Sequence, residues 1–329
     1  MVTQRTDQPE KAARWLRMGD CVAFPTETVY GLGADAMNPE AVIKIFQAKG
    51  RPADNPLIVH LASVEQVDQV GRDLSPAAWT LLRTFSPGPL TCVVHKHPDV
   101  PDVTTAGLDT VGVRIPALPM AQAFLQACAV PVAAPSANQS GRPSPTTWEA
   151  VREDLDGRIR GILIGPQAPT GIESTVIDTT VDPPVVLRPG AITLEDAQRV
   201  VPALTMATTT DAEHRSPGTR HRHYAPTARV EVADPERAHP DPEAGYIGLH
   251  PPAQRDAWGR VVLCGSLSDY ASRLFATFRQ FDNDGFRRIV CEPVEPTGLG
   301  RALMDRIMRA AAPSSSETST DAAPESDAP

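Results

Sequence analysis

The sequence predicts an α/β (α+β) protein: a mixed, twisted sheet with helices packed on it, followed by a smaller α/β domain of Rossmann-like type. Three observations carry this. In the first two-thirds, strand-like runs outnumber helical ones and several are neighbours in sequence, which argues against a strict βαβ alternation. The last third reads strand, strand, strand, long helix, strand, helix. Between the two, from about Met206, the apolar pattern lapses into "ATTTDAEHRSPGTRHRHYAPTA". With 329 residues, 41% of them hydrophobic, the chain can bury a full core and has the length of two domains.

The elements follow in order. "NPEAVIKIFQAKG" is a helix with Asn38 as N-cap, Pro39 at its first position, Gly50 just past its end, and a buried stripe of Val42, Ile43 and Phe46. "PLIVHL" is a strand. Ser63 and Gln66 form a capping-box signature for "SVEQVDQV", and Ser75 with Pro76 opens a helix through Phe85. Strands are expected at "CVAFPT", "LTCVVHK", "TVGVRIP", "PVAAPS", "GILIG", "STVID" and "PVVLRPG", and helices at "PMAQAFLQAC" and "TTWEAVREDL". After the polar segment come strand-like "RVEVAD", "GYIGLH" and "RVVLCG", helix "LSDYASRLFATFRQFD", strand "RRIVCEPV" and helix "GLGRALMDRIMRAA". The expected divisions are a first domain over 8–205, a linker over 206–228, a second domain over 229–311 and a disordered acidic tail over 312–329.

The totals exclude several classes. The start, "MVTQRTDQPE", lacks an apolar core segment, so no secretory signal is expected, and no apolar run approaches membrane-spanning length. Five scattered cysteines without a C-x-x-C indicate neither a disulfide framework nor a thiolate zinc site; a reducing cytoplasm fits. A formal net charge of −9 makes stable nucleic-acid binding an unexpected main role, since that needs a basic face. Local pockets for small anions stay open.

Four segments look unlike scaffold: "PTETVYGLG", "KGRPADNP", "PSANQSGRPSP" and "SPGTRHRHYAP". The first sets Thr26 and Thr28 ahead of two glycines; a strand end turning through glycine exposes N–H groups and hydroxyls to anions, and is equally a plain tight turn. "GLGADA" mimics a dinucleotide fingerprint, but "TETVY" is polar where a core strand should be apolar, and no Walker-type phosphate loop occurs. In the second segment, Lys49 and Arg51 flank a glycine in a chain whose only other lysines are Lys11, Lys44 and Lys96. An ammonium and a forked guanidinium do different jobs, so the pair looks chosen for an anion. The third gathers Ser136, Asn138, Ser140, Arg142 and Ser144, also readable as a surface loop. The fourth concentrates Arg220, His221, Arg222, His223 and Tyr224, also readable as a solvated charge run.

Together these segments resemble the threonylcarbamoyl-AMP synthases of the YrdC-like fold, in their longer two-domain form. "PTETVYGLG", "KGRPADNPL", "TVGVRIP", "APSANQSG" and "STVID" with "LRPG" stand in family order, and "SPGTRHRHYAP" matches the linker of two-domain members; the likeness runs from residue 9 to about 311. It implies an L-threonylcarbamoyladenylate synthase, a nucleotidyltransferase that joins L-threonine, bicarbonate and ATP for the t6A37 modification of tRNA. By the same resemblance, Lys49, Arg51, Ser136 and Asn138 are catalytic. Thr28, His60, Arg114, the backbone near Ala134 and Ser174 hold threonine. Arg51, Asn55, Thr110, Ser136, Ser144, Arg188 and Tyr224 hold ATP, with Tyr224 as a lid from the linker. Mg²⁺ is expected to arrive with ATP, and the product to pass to a tRNA threonylcarbamoyl-transfer complex, with no membrane involved. Replacing Lys49 with arginine is expected to impair chemistry more than folding.

Alone, His60 in "LIVHL" reads as a satisfied core histidine and Arg114 as a strand-end surface cation. The linker reads "TRHRHYAP" after "SPG", where several linkers of the family it resembles carry Met-Lys or similar, and Gly112 stands where a larger apolar residue is often found. Rival readings are an RNA-binding or nucleotide-sensing module without chemistry, and a carbamoyltransferase of hydrogenase maturation. The second would need zinc-finger cysteine pairs that this chain lacks.

Overall fold

The computed structural model describes residues 2–208 and 224–312. Arg220, His221, Arg222 and His223, most of the 206–228 segment and nearly all of the 312–329 tail lie outside the described residues.

The first lobe opens with β1 (Gln4–Thr6), α1 (Pro9–Arg17), β2 (Val22–Phe24), β3 (Gly31–Asp35), α2 (Pro39–Lys49) and β4 (Ile58–His60). It continues through β5 (Gly71–Arg72), α3 (Pro76–Phe85), β6 (Leu90–Lys96), α4 (Asp102–Thr105), β7 (Thr110–Arg114), α5 (Pro119–Cys128) and β8 (Val132–Ala133). Then come α6 (Trp148–Leu155), β9 (Gly161–Leu163), β10 (Thr175–Asp178), β11 (Val185–Arg188), α7 (Leu194–Gln198) and β12 (Thr205–Met206). The strands form one mixed sheet in the order β1-β9-β2-β3-β8-β4-β7-β6-β10-β11-β12, with β5 beside β6. β1 lies ahead of residue 8, where the sequence sets the start of this lobe.

Strand alternation sorts the side chains into two cores. Val22 and Phe24 join α1 and α5 on one side, while Ala23 joins α2, α3 and α6 on the other; Val132 and Ala133 divide the same way. Local caps fix the helix limits. The Asn38 side chain accepts from the amides of Glu40 and Ala41, and Gly50 ends α2 in the left-handed region at φ 60°. The Ser75 hydroxyl accepts from Ala78 N at the start of α3.

Three expectations need correction. Ile43 is 43% exposed, and α2 instead buries Ala41, Val42, Ile45, Phe46, Ala48 and Lys49. The Ser63–Gln66 capping box does not form: the run is a 3₁₀ helix (Val64–Gln69), and Gln66 Oε1 accepts from Ala62 N instead. Gly31 and Gly33 do not turn the chain but sit inside β3, paired with Phe24 and Val22. A Cβ on Gly33 would meet Val132 Cγ1 at 2.8 Å and Phe24 Cε1 at 3.0 Å, so that glycine is there for close packing.

The second lobe carries β13 (Arg229–Val232), β14 (Ala244–Gly248), β15 (Arg260–Leu263) and β16 (Arg288–Cys291) as an all-parallel sheet in the order β13-β16-β14-β15. The long helix Leu267–Asn283 turns Tyr270, Leu274, Phe275, Phe278 and Phe281 into its core, at i+3 and i+4 spacing. The last helix is Gly298–Ala311. Val29, Ile172 and Tyr224 join this same core, so the lobes share apolar packing. Gly171 permits the closest approach: at φ 74° it has no Cβ, which would meet Ser272 Cα at 2.4 Å.

Candidate active site

The centre of the large sheet positions the site. β4 and β7 run parallel with His60 opposite Arg114; β8 runs antiparallel to β4; and an isolated bridge joins Gly31 to Ser136. Side chains at these strand ends converge on one cleft. Arg51, His60, Arg114, Ala134, Ser136, Ser174, Arg188 and Tyr224 line it, together with Glu173 and Thr26. Three guanidinium groups thus face one carboxylate, in a protein whose net charge is −9.

The cations are held by backbone and by acids. Arg51 Nη2 donates to the carbonyls of Asn55 and Pro56, at 3.3 and 3.2 Å. Its Nε has no partner among the described residues, and burial lowers its pKa to about 10. Arg114 Nη2 donates to Glu27 Oε1 at 2.7 Å, while Glu27 Oε2 accepts from Ala117 N. Arg114 Nε is likewise buried and without a partner among the described residues. Arg188 donates from Nε and Nη2 to the Ser174 carbonyl, and its pKa is lowered, chiefly by burial.

Lys49 behaves differently from Arg51. Its Nζ donates to the carbonyls of Ser136 and Asn138, each at 2.5 Å, and its own carbonyl accepts from Ser140 N. Burial first, then Arg51, pulls its pKa well below that of an ordinary lysine. Lys49 therefore shapes the serine loop from behind and is not among the residues lining the cleft. The same layer holds Asn138, whose amide donates to the carbonyls of Gln139 and Arg142, and Ser144, which donates to Glu173 Oε1 at 2.5 Å. Asn55 is buried beside cleft-lining Pro56, and its carbonyl serves Arg51.

Like Lys49, Asn55, Asn138 and Ser144, the expected site residues Thr28 and Thr110 are not among the residues lining the cleft. Thr26 lines the cleft, whereas Thr28 lies behind it, fully buried, with its hydroxyl 2.8 Å from that of Thr26. Thr110 starts β7, opposite His95 and four residues from Arg114, and is absent from the cleft wall. A strand rises about 3.3 Å per residue, so the two ends of β7 lie on the order of 13 Å apart.

Tyr224 closes one side. It has φ 67°, a left-handed conformation that costs a non-glycine residue roughly 1 kcal/mol and so needs support from its surroundings. That support is a stack on Phe275 (ring centroids 5.2 Å apart) and the Arg306 guanidinium 5.5 Å from its ring centre. The next residue, Ala225, donates its N–H to the Gly141 carbonyl, pinning this stretch to the serine loop.

His60 Nδ1 lies 3.2 Å from the Ile58 carbonyl, and the ring meets Phe24 edge-on. Burial, then the charge of Arg114, lowers its pKa to about 3 from 6.5, so the imidazole is neutral at pH 7. The folded state therefore binds fewer protons than the unfolded chain between pH 3 and 6.5. Stability from this group is complete above pH 6.5 and lost as pH falls toward 3. The urea midpoint of the wild type should drop between pH 6.5 and 4 by more than that of His60→Gln. Equal drops would show that another group titrates.

Sequence reading missed Glu27, Glu173, Asp154, Arg279 and Arg306. The two glutamates had a signal, since each lies next to a residue already singled out, in "PTETVYGLG" and "GIESTVID". The other three had none, because a carboxylate or guanidinium on an amphipathic helix looks the same whether it faces water or a partner.

A guanidinium-lined cleft over strand ends, covered by an aromatic side chain from the inter-lobe segment, defines a two-lobed α/β enzyme for small anionic substrates. A family model described as "Telomere recombination" (Sua5, YciO, YrdC) matches residues 14–190, and one described as "Threonylcarbamoyl-AMP synthase, C-terminal domain" matches residues 192–312. The chain belongs to this family, in its two-domain form. It is 43% identical over 316 residues to the threonylcarbamoyl-AMP synthase of Pyrococcus abyssi, covering 91% of this chain and 92% of that one. The Bacillus subtilis threonylcarbamoyl-AMP synthase is also 43% identical, over 326 residues, covering 93% and 94% of the two chains. The crystal structure of P. abyssi Sua5 complexed with L-threonine superposes with a TM-score of 0.85 at 40% identity, over 94% of this chain and 97% of that one.

Proposed function

We propose that this enzyme makes threonylcarbamoyl-AMP and pyrophosphate from L-threonine, bicarbonate and ATP, for the t6A37 modification of tRNA. The observation that carries this is the match over more than nine-tenths of the chain to relatives of that name, together with three guanidinium groups in one cleft. L-threonine as substrate is supported by the P. abyssi structure that contains it.

The amine of threonine condenses with bicarbonate to give a carbamate and water. A carbamate oxygen then attacks the α-phosphorus of ATP, and pyrophosphate leaves. Such a displacement asks the protein for position and charge, not for a covalent nucleophile. Arg114, fixed at one nitrogen by Glu27, supplies the fork for the threonine carboxylate, and neutral His60, Ala134 and Ser174 complete that end. Arg51 and Arg188 face the triphosphate, with Tyr224 over the nucleotide. Lys49 and Asn138 hold the Ser136 loop where bicarbonate and the α-phosphate meet. Arg51 Nε and Arg114 Nε, buried donors without partners among the described residues, support this division, because each stays desolvated until an oxygen arrives.

Mg²⁺ would enter on the triphosphate, since magnesium prefers phosphate oxygens and its own waters. Among the described residues no three histidines, cysteines or carboxylates converge to hold an ion. The product would pass to a tRNA threonylcarbamoyl-transfer complex in the cytoplasm. Among the described residues no helix is long and apolar enough to cross a membrane.

Incubation with labelled bicarbonate, MgATP and single amino acids should give threonine-dependent pyrophosphate and a labelled adenylate. Serine, lacking one methyl, should be poorer by about 10–200-fold in kcat/KM. No product with threonine would refute the assignment, and serine performing equally would refute the threonine pocket.

A further inference from the structure

The second lobe sends one fully buried cation to the back of a cleft-lining residue. Arg306, on the last helix, has no exposed surface, and its Nε donates to Glu173 Oε2 at 2.8 Å. The other oxygen of Glu173 accepts from Ser144, and Glu173 is the only carboxylate lining the cleft among the described residues. The same guanidinium sits over the Tyr224 ring, and Asp305 accepts from its Nη1 at 2.6 Å. Arg306 itself does not line the cleft. One group from the second lobe thus touches an acid, and through it a serine, plus the aromatic cover, all on one side of the cavity.

We infer that Arg306 is a positioning residue for the nucleotide: it cancels the charge of Glu173 and fixes that carboxylate as the acceptor that orients Ser144. This rests on the function proposed above. Unpaired, Glu173 would present an anion in the cleft that receives a triphosphate, and like charges in a desolvated site repel strongly. Paired, its charge faces a buried cation and both its oxygens are occupied. The second lobe then completes the nucleotide half of the site, and its contribution to the threonine half, around His60 and Arg114, is small.

The test uses the full-length protein and two readouts: MgATP affinity by titration calorimetry, which needs no turnover, and KM for each substrate. Arg306→Met should weaken MgATP at least tenfold and leave the threonine KM within threefold. Adding Glu173→Gln to Arg306→Met removes the bare anion and should bring MgATP affinity to within threefold of Glu173→Gln alone. Arg301→Met, which removes an exposed pair with Glu195 from the same helix, should change neither readout by more than twofold. If Arg306→Met does not fold, Arg306→Lys and the double variant decide, because each keeps the pair neutral and should stay within fivefold of wild type. The inference is overturned if Arg306→Met leaves MgATP affinity unchanged, if it weakens both substrates equally, or if the double variant binds no better than Arg306→Met. It is also overturned if both neutral substitutes lose tenfold or more. A wild type that binds MgATP yet makes no product defeats the proposed function, while the affinities still decide this point.

Discussion

Lys49→Met is expected to lower kcat/KM by roughly 10²-fold, the loss typical when a supporting residue lets the reacting groups shift by about 1 Å. The side chain is replaced by an apolar one of similar length, so packing of α2 is largely kept. The carbonyls of Ser136 and Asn138, which both accept from Nζ, lose that donor in a buried place. Each such loss costs about 1–3 kcal/mol, so the urea midpoint should fall as well. Arginine at this position should fare no better, because a planar fork does not fit a point shared by two carbonyls 2.5 Å from one nitrogen. The resemblance led to the expectation that arginine would impair chemistry more than folding; the enclosure of Lys49 adds a substantial loss of stability to that. Pyrophosphate release and a urea titration check the two effects separately. A folded Lys49→Met protein within tenfold of wild type would show that this ammonium does not organise the reacting centre.

Arg279→Met should destabilise the protein by about 3–5 kcal/mol, the range for removing one partner of a buried ion pair. Arg279 reaches from the second lobe to Asp154 on α6, with Nη1 to Oδ1 at 3.1 Å and Nη2 to Oδ2 at 2.8 Å. It also donates to the Pro143 carbonyl. Asp154 has a fully buried side chain and is otherwise served by Gln139 N and Arg142. Removing Arg279 leaves that carboxylate with a half-exposed partner and frees a carbonyl in the serine loop. The loss should appear as a lower urea midpoint, and Ser136–Ser144 should exchange amide hydrogens faster. A change below about 1 kcal/mol would mean that water replaces the guanidinium at no cost.

What could be read from local sequence has a local cause. The helix Pro39–Lys49 was legible because its cap, first-turn proline and terminal glycine all act within four residues. The strand Leu90–Lys96 and the helix Pro119–Cys128 were legible from their periods and punctuation. The Ser63–Gln66 box failed because the same residue types also serve a short connector, and β1 went unread because three residues carry no period. For the site, motif order brought out Arg51, His60, Arg114, Ser136, Ser174, Arg188 and Tyr224, all of which the fold places around one cleft. It could not tell Thr26 from Thr28, since which hydroxyl faces inward depends on the turn they share.

By itself, then, the sequence determined the two-lobed α/β architecture, the caps of helices such as Pro39–Lys49, and several short segments whose residues meet at one cleft. Only the tertiary structure decided which acid answers which cation. Arg114 meets Glu27 across 87 residues, Arg279 meets Asp154 across 125, and Arg306 meets Glu173 across 133. No periodicity or spacing rule reaches that far along a chain. A charge declares its partner only once burial removes water and makes an unpaired state too costly to keep.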